Sequence, residues 1–353
     1  MTMVNKQDMF DEWFNQELKA SKEIVRGFIK DVFGAGNNED YKEDELYEYF
    51  RTFNFDWFNF VYKDFDPDSN KCKKTNGWYR DYVIPDLEDI KSSFYTLTGI
   101  ENEEKLKKIS ENEELRKCAD PDSMKIVCHI LFIIYSDFIK NAIYEMPLKE
   151  ILNKNIIDLF KGDTMHSFHY SFGNPKYNGI EVKKVVRQYI FMYNYINGFS
   201  KINKEDLIDK VKKFFNKYHT LGNFVLTPAV TVDGISINTY RYKFDNDNYY
   251  VYLNKVFKPQ KESLSILNLL IEANKGFFIQ CKDKKEYCAM LDISYEDEKN
   301  YTKLRNEALD NKDNSEYMEK YIKCVEEIID KRCKKMIKKL YNKLKESKEK
   351  ESV

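Results

Sequence analysis

Histidine chemistry in this chain of 353 residues is limited to four imidazoles, at positions 129, 166, 169 and 219. Two of them fall in Asp163-Thr164-Met165-His166-Ser167-Phe168-His169, ahead of a Gly173-Asn174-Pro175 turn. A loop with two imidazoles and a carboxylate suits a divalent metal, so Asp163, His166 and His169 form one candidate metal set. The same spacing also arises without a metal, and on that reading the chain needs no cofactor. His219 stands in Lys217-Tyr218-His219-Thr220-Leu221-Gly222-Asn223-Phe224, where a helix end meets a strand-like run. There an imidazole can meet a ligand; alternatively, His219 and Asn223 satisfy the last helix carbonyls and Gly222 supplies the bend. Asn238 and Arg241 follow, and the guanidinium can hold a carboxylate or phosphate bidentately or close a salt bridge within the chain. His219, Asn223, Asn238 and Arg241 are therefore a candidate ligand-binding set for an anionic or amide-bearing molecule. His129, in the most apolar stretch, reads as a hydrogen-bonded core histidine.

Across 331–345 there are eight basic residues and no acidic one. Such a run can contact nucleic acid, but cations near a helix C-terminus also complement its dipole and keep an outer face solvated. Nucleic acid is thus an admissible partner and not the favoured one. Glycine-rich phosphate loops, a Gly-x-Ser-x-Gly elbow, a His-Glu-x-x-His helix and zinc-finger spacings are absent from the sequence.

The elements that must position these groups are mostly helical. Met9, Phe10, Trp13, Phe14, Leu18, Ile24, Val25, Phe28 and Ile29 recur at helical spacing, which predicts one or two helices over 4–33. From Met124 to Tyr144 apolar residues cover nearly the whole circumference, the pattern of a central core helix. Ile151 to Phe160 suggests a shorter helix ending at Gly162. Stripes at 182–196 and 207–218 suggest two more helices. The period then changes: Phe224 to Thr227 is strand-like, and Asp233-Gly234 between Val230-Thr231-Val232 and Ile235-Ser236-Ile237 is a strong hairpin signal. A small antiparallel sheet is expected over about 222–240. Helices are expected again at 248–257 and 262–274, the latter closed by Gly276, and a long amphipathic helix at about 315–347. The fold class is therefore mainly α with a small antiparallel β-insert.

Only 12 Gly and 7 Pro are available for linkers, which favours a single helix-rich domain over 1–353 rather than two tethered units. The 42% hydrophobic content supports a large core and excludes a disordered chain. With 58 Lys plus Arg against 59 Asp plus Glu, no global field recruits nucleic acid or an anionic membrane. Eight of the basic residues are Arg and the rest Lys, a usage that points to a bacterium of low GC content. The seven Cys form no Cys-x-x-Cys and read as reduced core thiols. The longest apolar run, Ile126 to Tyr135, falls well short of the roughly 20 residues that span a bilayer. The expected location is the cytoplasm, with no membrane partner.

Thr220-Leu221-Gly222, Pro228, Asp233-Gly234 and Ile237-Asn238-x-x-Arg241, in that order, resemble the central motif of a bacterial domain-of-unknown-function family. Asp66-Pro67-Asp68, Phe277-Phe278, Glu286-Tyr287 and the closing helix of 316–340 with Arg332 have counterparts in it. Tyr242 stands where that family has glycine, and Asn248-Tyr249-Tyr250 replaces its acidic-aromatic run. The resemblance implies a soluble, bacterial, single-bodied protein and no particular reaction. Asp163-x-x-His166 ahead of Leu221-Gly222-Asn223-Phe224 is similar to the HNH-like nuclease domain of modification-dependent restriction enzymes. That likeness implies Asp163, His166 and His219 as catalytic residues around a divalent metal, without the proline that commonly follows the histidine. Two functions are thus expected: a binding or interaction protein, or a metal-dependent nuclease.

Overall fold

The structure, a computed structural model, describes residues 6–33, 41–53, 55, 125–146, 151–166, 176–177, 180–181, 217, 219–237, 249–258, 266–311 and 315–351. Helices dominate these residues, and the strands are short. The first helix, α1 (Lys6–Phe33), is continuous. Its buried positions Phe10, Phe14, Ser21, Val25, Phe28 and Ile29 follow the helical period, so one face is committed to the core. Helix α2 (Glu43–Thr52) starts where the Lys42 backbone N–H donates to Glu45 Oε2, and it buries Leu46 and Phe50.

The apolar stretch after residue 124 forms two helices instead of the single one its composition suggests. These are α3 (Lys125–Ile134) and α4 (Ser136–Tyr144), bent by 92° about Tyr135. No proline or glycine lies at the bend, so local chemistry does not set it. Its cause is tertiary: the Tyr135 hydroxyl donates to Leu291 O at 3.1 Å, and Lys343 Nζ donates to Ser136 Oγ at 2.6 Å. Ile130, Leu131, Ile134 and Phe138 are buried, as a central element requires. Among the described residues no single helix is long and apolar enough to cross a membrane, and the bent pair lies in the core.

The segment read as a helix ending at Gly162 is instead a 3-10 turn at Ile156–Asp158 followed by strand β1 (Phe160–Thr164), with Gly162 inside the strand. A small pair, β2 (Lys176–Tyr177) and β3 (Ile180–Glu181), comes next. A 3-10 turn at Leu221–Asn223 leads into β4 (Phe224–Pro228). β1 and β4 pair antiparallel, Phe160 opposite Pro228 and Thr164 opposite Phe224. The expected hairpin turn exists: Asp233 and Gly234 have φ of 50° and 71°, and Val232 and Ile235 exchange two 2.9 Å backbone bonds. Among the described residues its arms form that single bridge, because β4 takes its partner from β1 and not from the hairpin.

The remaining helices are α5 (Tyr249–Phe257), α6 (Ile266–Ala273), α7 (Lys275–Phe278), α8 (Lys284–Met290), α9 (Asp297–Asp310) and α10 (Ser315–Glu351). Gly276 does not close a helix; it lies inside α7, where a Cβ would stand 1.9 Å from Ala142 O, so α7 and α4 meet backbone to backbone there. Buried apolar residues from α1 to α10 form one continuous core. Aromatic pairs stitch it: Phe14 to Phe132 at 5.3 Å, Phe28 to Phe55 at 6.3 Å, and Phe55 to Phe224 at 5.7 Å. The stripes at 182–196 and 207–218 lie outside the described residues, apart from Lys217.

Candidate functional site

Four of the candidate residues, Asp163, His166, His219 and Asn223, sit at the end of the β1–β4 ladder where the strands meet the Leu221–Asn223 turn. The last regular pair is Thr164 with Phe224, after which Met165 N–H donates to Asn223 O at 2.8 Å. The Asn223 side chain then continues the ladder by itself. Its Oδ1 accepts from His166 N–H and its Nδ2 donates to His166 O, both at 2.9 Å. A carboxamide carries the same donor and acceptor as a peptide group, so Asn223 supplies the rung that a further strand residue would have made. The expectation that Asn223 caps helix carbonyls does not hold. That task falls to Thr220, whose Oγ1 donates to Lys217 O at 2.8 Å.

Gly222 is required by close approach. A Cβ on it would lie 2.1 Å from Ile329 O and 2.9 Å from Cys333 Cβ, so the turn presses directly on the backbone of α10. That contact brings the Gly222 and Phe224 carbonyls to Arg332, which is 2% exposed. Arg332 Nη1 donates to both carbonyls, at 2.8 Å to Gly222 O. Its Nε donates to Leu291 O at 3.0 Å, and its Nη2 to the Tyr135 hydroxyl at 3.0 Å. All four acceptors are neutral. One guanidinium therefore ties together β4, the α3–α4 bend, the turn after α8, and α10. Burial, opposed by Arg332 and reinforced by the Asp292 carboxylate, raises the Tyr135 hydroxyl above its ordinary range, so it stays protonated and able to donate to Leu291 O.

The imidazoles are inside the body. His166 is 0% exposed, and its ring lies 4.7 Å from that of Tyr301, whose hydroxyl is 3.3 Å from that of Tyr321. His219 is 4% exposed and stacks on Phe224 at 5.9 Å and 21°, and its carbonyl accepts from Phe55 N–H at 2.9 Å. Asp163 is 0% exposed and sits opposite Val225. Because consecutive strand positions face opposite sides, Asp163 projects to one side of the ladder and Phe224, with its stacked His219, to the other. Among the described residues no three His, Cys, Asp or Glu side chains come together as a metal would need. Lys217 Nζ closes the near edge, 2.5 Å from Asp330 Oδ1 and 3.1 Å from Arg51 O. His169, Asn238 and Arg241 lie outside the described residues.

His129 is the hydrogen-bonded histidine expected of it. Its Nδ1 lies 2.9 Å from Ser21 Oγ, and burial first, with Lys125 adding to it, pushes its pKa down to about 4. The five described cysteines are buried and form no disulfide. Burial raises Cys281 and Cys324 to about 11 and Cys288 and Cys333 to about 12, so these four are thiols and not nucleophilic thiolates at neutral pH.

The residue that organises this region, Arg332, stands in the sequence as part of a basic run and of the closing helix that carries the family resemblance. A finer signal was present: Val325, Ile329, Arg332, Met336 and Leu340 are spaced as one buried helical face, and the arginine occupies an apolar position in it. Compared with known proteins, the chain matches no family model, no curated protein and no solved structure.

Proposed function

We propose that this chain is a bacterial, cytoplasmic binding protein whose ligand engages the segment from His219 to Arg241. The observation that carries the reading is the Arg332 junction. It holds the Gly222 and Phe224 carbonyls at the start of that segment and so fixes where the segment leaves the body. Within the segment, His219 and Asn223 are 4% and 0% exposed, so contact with an anionic or amide-bearing ligand falls to Asn238 and Arg241. Lysine-rich, arginine-poor usage and the likeness of 220–241 to a bacterial family support the assignment of source, and buried cysteines outside any disulfide support a reducing compartment.

Binding is preferred to metal-dependent hydrolysis because a base that activates water must reach both water and a phosphodiester. Asp163 and His166 are 0% exposed and His219 is 4% exposed, each packed inside the body. Calorimetric titration of the full chain with inorganic phosphate, as the anionic probe, tests the reading. The expected result is phosphate uptake by the parent chain, weakened at least about tenfold in Arg241→Ala with an unchanged melting temperature, since a bidentate guanidinium is the main anion contact. No uptake by the parent chain, or a lowered melting temperature with uptake intact, overturns it.

A further inference from the structure

The basic run of 331–345 divides into two sets once its side chains are placed. Four members serve the fold: Arg332 lies in the core, Lys339 pairs with Asp292 at 2.8 Å, Lys343 pairs with Asp137 at 2.7 Å, and Lys345 lies over the Tyr41 and Tyr341 rings. The other four, Lys331, Lys334, Lys335 and Lys338, are exposed, and among the described residues none of them is held in an ion pair. At 3.6 residues per turn these positions fall within an arc of about 100° and span about 10 Å of the helix axis. They form one ridge, bounded by the exposed acids Glu327 and Glu346.

The helix dipole does not account for this ridge. Its influence is confined to the last turn of a helix, whereas α10 runs on to Glu351, well beyond Lys338. A membrane surface does not fit either, because an interfacial helix must bury its own apolar face in lipid. The apolar face of α10 is already packed into the core, and the large exposed hydrophobics, such as Ile279 and Met290, are on other elements. What the ridge matches is a line of phosphates. Duplex nucleic acid carries one negative charge per about 3.4 Å of axis on each strand, so a ridge of about 10 Å lies along about three phosphates of one strand, and the second strand brings the charge within that length to about six, against which four lysines are set.

The geometry points to the outer face of α10 at Lys331, Lys334, Lys335 and Lys338 as a contact surface for the phosphate backbone of a nucleic-acid duplex. Binding there is independent of sequence. Lysine ammoniums act as point charges, and the one arginine of the run, which could read guanine bidentately, is turned into the core. This surface is separate from the 219–241 segment, and the inference does not rest on the ligand reading made for that segment.

Fluorescence anisotropy of the full chain with a labelled DNA duplex of about 20 base pairs tests it; four lysine contacts predict a slope of log K against log salt of about −3.6. That slope corresponds to about a hundredfold loss of affinity between 50 and 200 mM salt. Replacing all four lysines by Gln should weaken binding at low salt by at least about tenfold, and Lys334→Gln alone should lower the slope magnitude by about 0.9. The melting temperature should not change, because the four side chains are exposed and Gln is nearly as good a helix former as Lys. No binding by the parent chain at low salt, or binding unchanged in the fourfold variant, overturns the inference. So does an acidic polypeptide such as polyglutamate that binds as tightly as the duplex, since it would make the ridge a general acidic-protein surface.

Discussion

The buried guanidinium of Arg332 makes its direct hydrogen bonds to neutral groups, three carbonyls and a phenol, and the Asp292 carboxylate stands beyond the phenol. Each hydrogen bond to a charged donor contributes about 1.5–3 kcal/mol net, so the set offsets much of the desolvation that a charge suffers inside a core. The acceptors matter as much as the cation. Three belong to backbone that cannot be substituted; in the absence of the guanidinium Leu291 O keeps the Tyr135 hydroxyl, while Gly222 O and Phe224 O lose the Arg332 donor. Arg332→Ala should therefore cost about 3–5 kcal/mol in chemical denaturation. Arg332→Met, which restores volume and apolarity, should recover no more than about 1 kcal/mol of that, in contrast to ion pairs whose two partners are both replaced. A Met variant within about 1 kcal/mol of the parent would show that the carbonyls find other donors, and the junction would lose its standing as the organiser of the site. At this scale the sequence was half legible. It marked His219, Gly222 and Asn223 as special, but the reasons are an aromatic stack, a backbone contact with α10 and a carboxamide rung, and each depends on a residue far away in the chain.

Elements whose buried face repeats with one period were readable, and elements shaped by distant partners were not. α1 and α10 show their stripes over many turns, so both existence and approximate ends follow from periodicity. β1 has the sequence Phe-Lys-Gly-Asp-Thr and a burial pattern with one exposed position in five, which neither alternates nor favours strand. It is a strand because β4, buried at every position, lies beside it. The break at Tyr135 is likewise invisible locally, since its hydrogen bonds run to Leu291 and Arg332. The α4–α7 contact gives a test at this scale in which two effects oppose. Gly276→Ala gains about 1 kcal/mol of helix propensity, but its Cβ would meet Ala142 O at 1.9 Å, and a backbone carbonyl cannot swing away. Overpacking of this kind costs about 1–3 kcal/mol and more where backbone must move, so the clash should win, with a net loss of at least about 2 kcal/mol. A neutral or stabilising Gly276→Ala would show that the two helices separate easily.

The organisation of the whole chain turns on whether the junction makes one cooperative body. Core residues from α1, α3, β4, α8 and α10 belong to a single cluster, and Arg332 bonds from α10 to three separate parts of it, so opening any one of them unpairs groups in the others. Such coupling favours all-or-none unfolding of the described core over independent units. The cysteines report on this without added probes. Cys128 is in α3, Cys281 precedes α8, Cys288 is within α8, and Cys324 and Cys333 lie in α10; all five are buried. A thiol raised to about 11 or 12 and shielded from solvent reacts with iodoacetamide only when its surroundings open. Site-resolved labelling by mass spectrometry across a urea series should therefore give all five thiols the same opening free energy, within about 1 kcal/mol of each other and of the global value. Arg332→Ala should lower all five together. Two groups of thiols with different free energies, for example Cys281 and Cys288 opening before Cys128 and Cys333, would divide the chain into two units and place Arg332 at their boundary instead of at the centre of one domain.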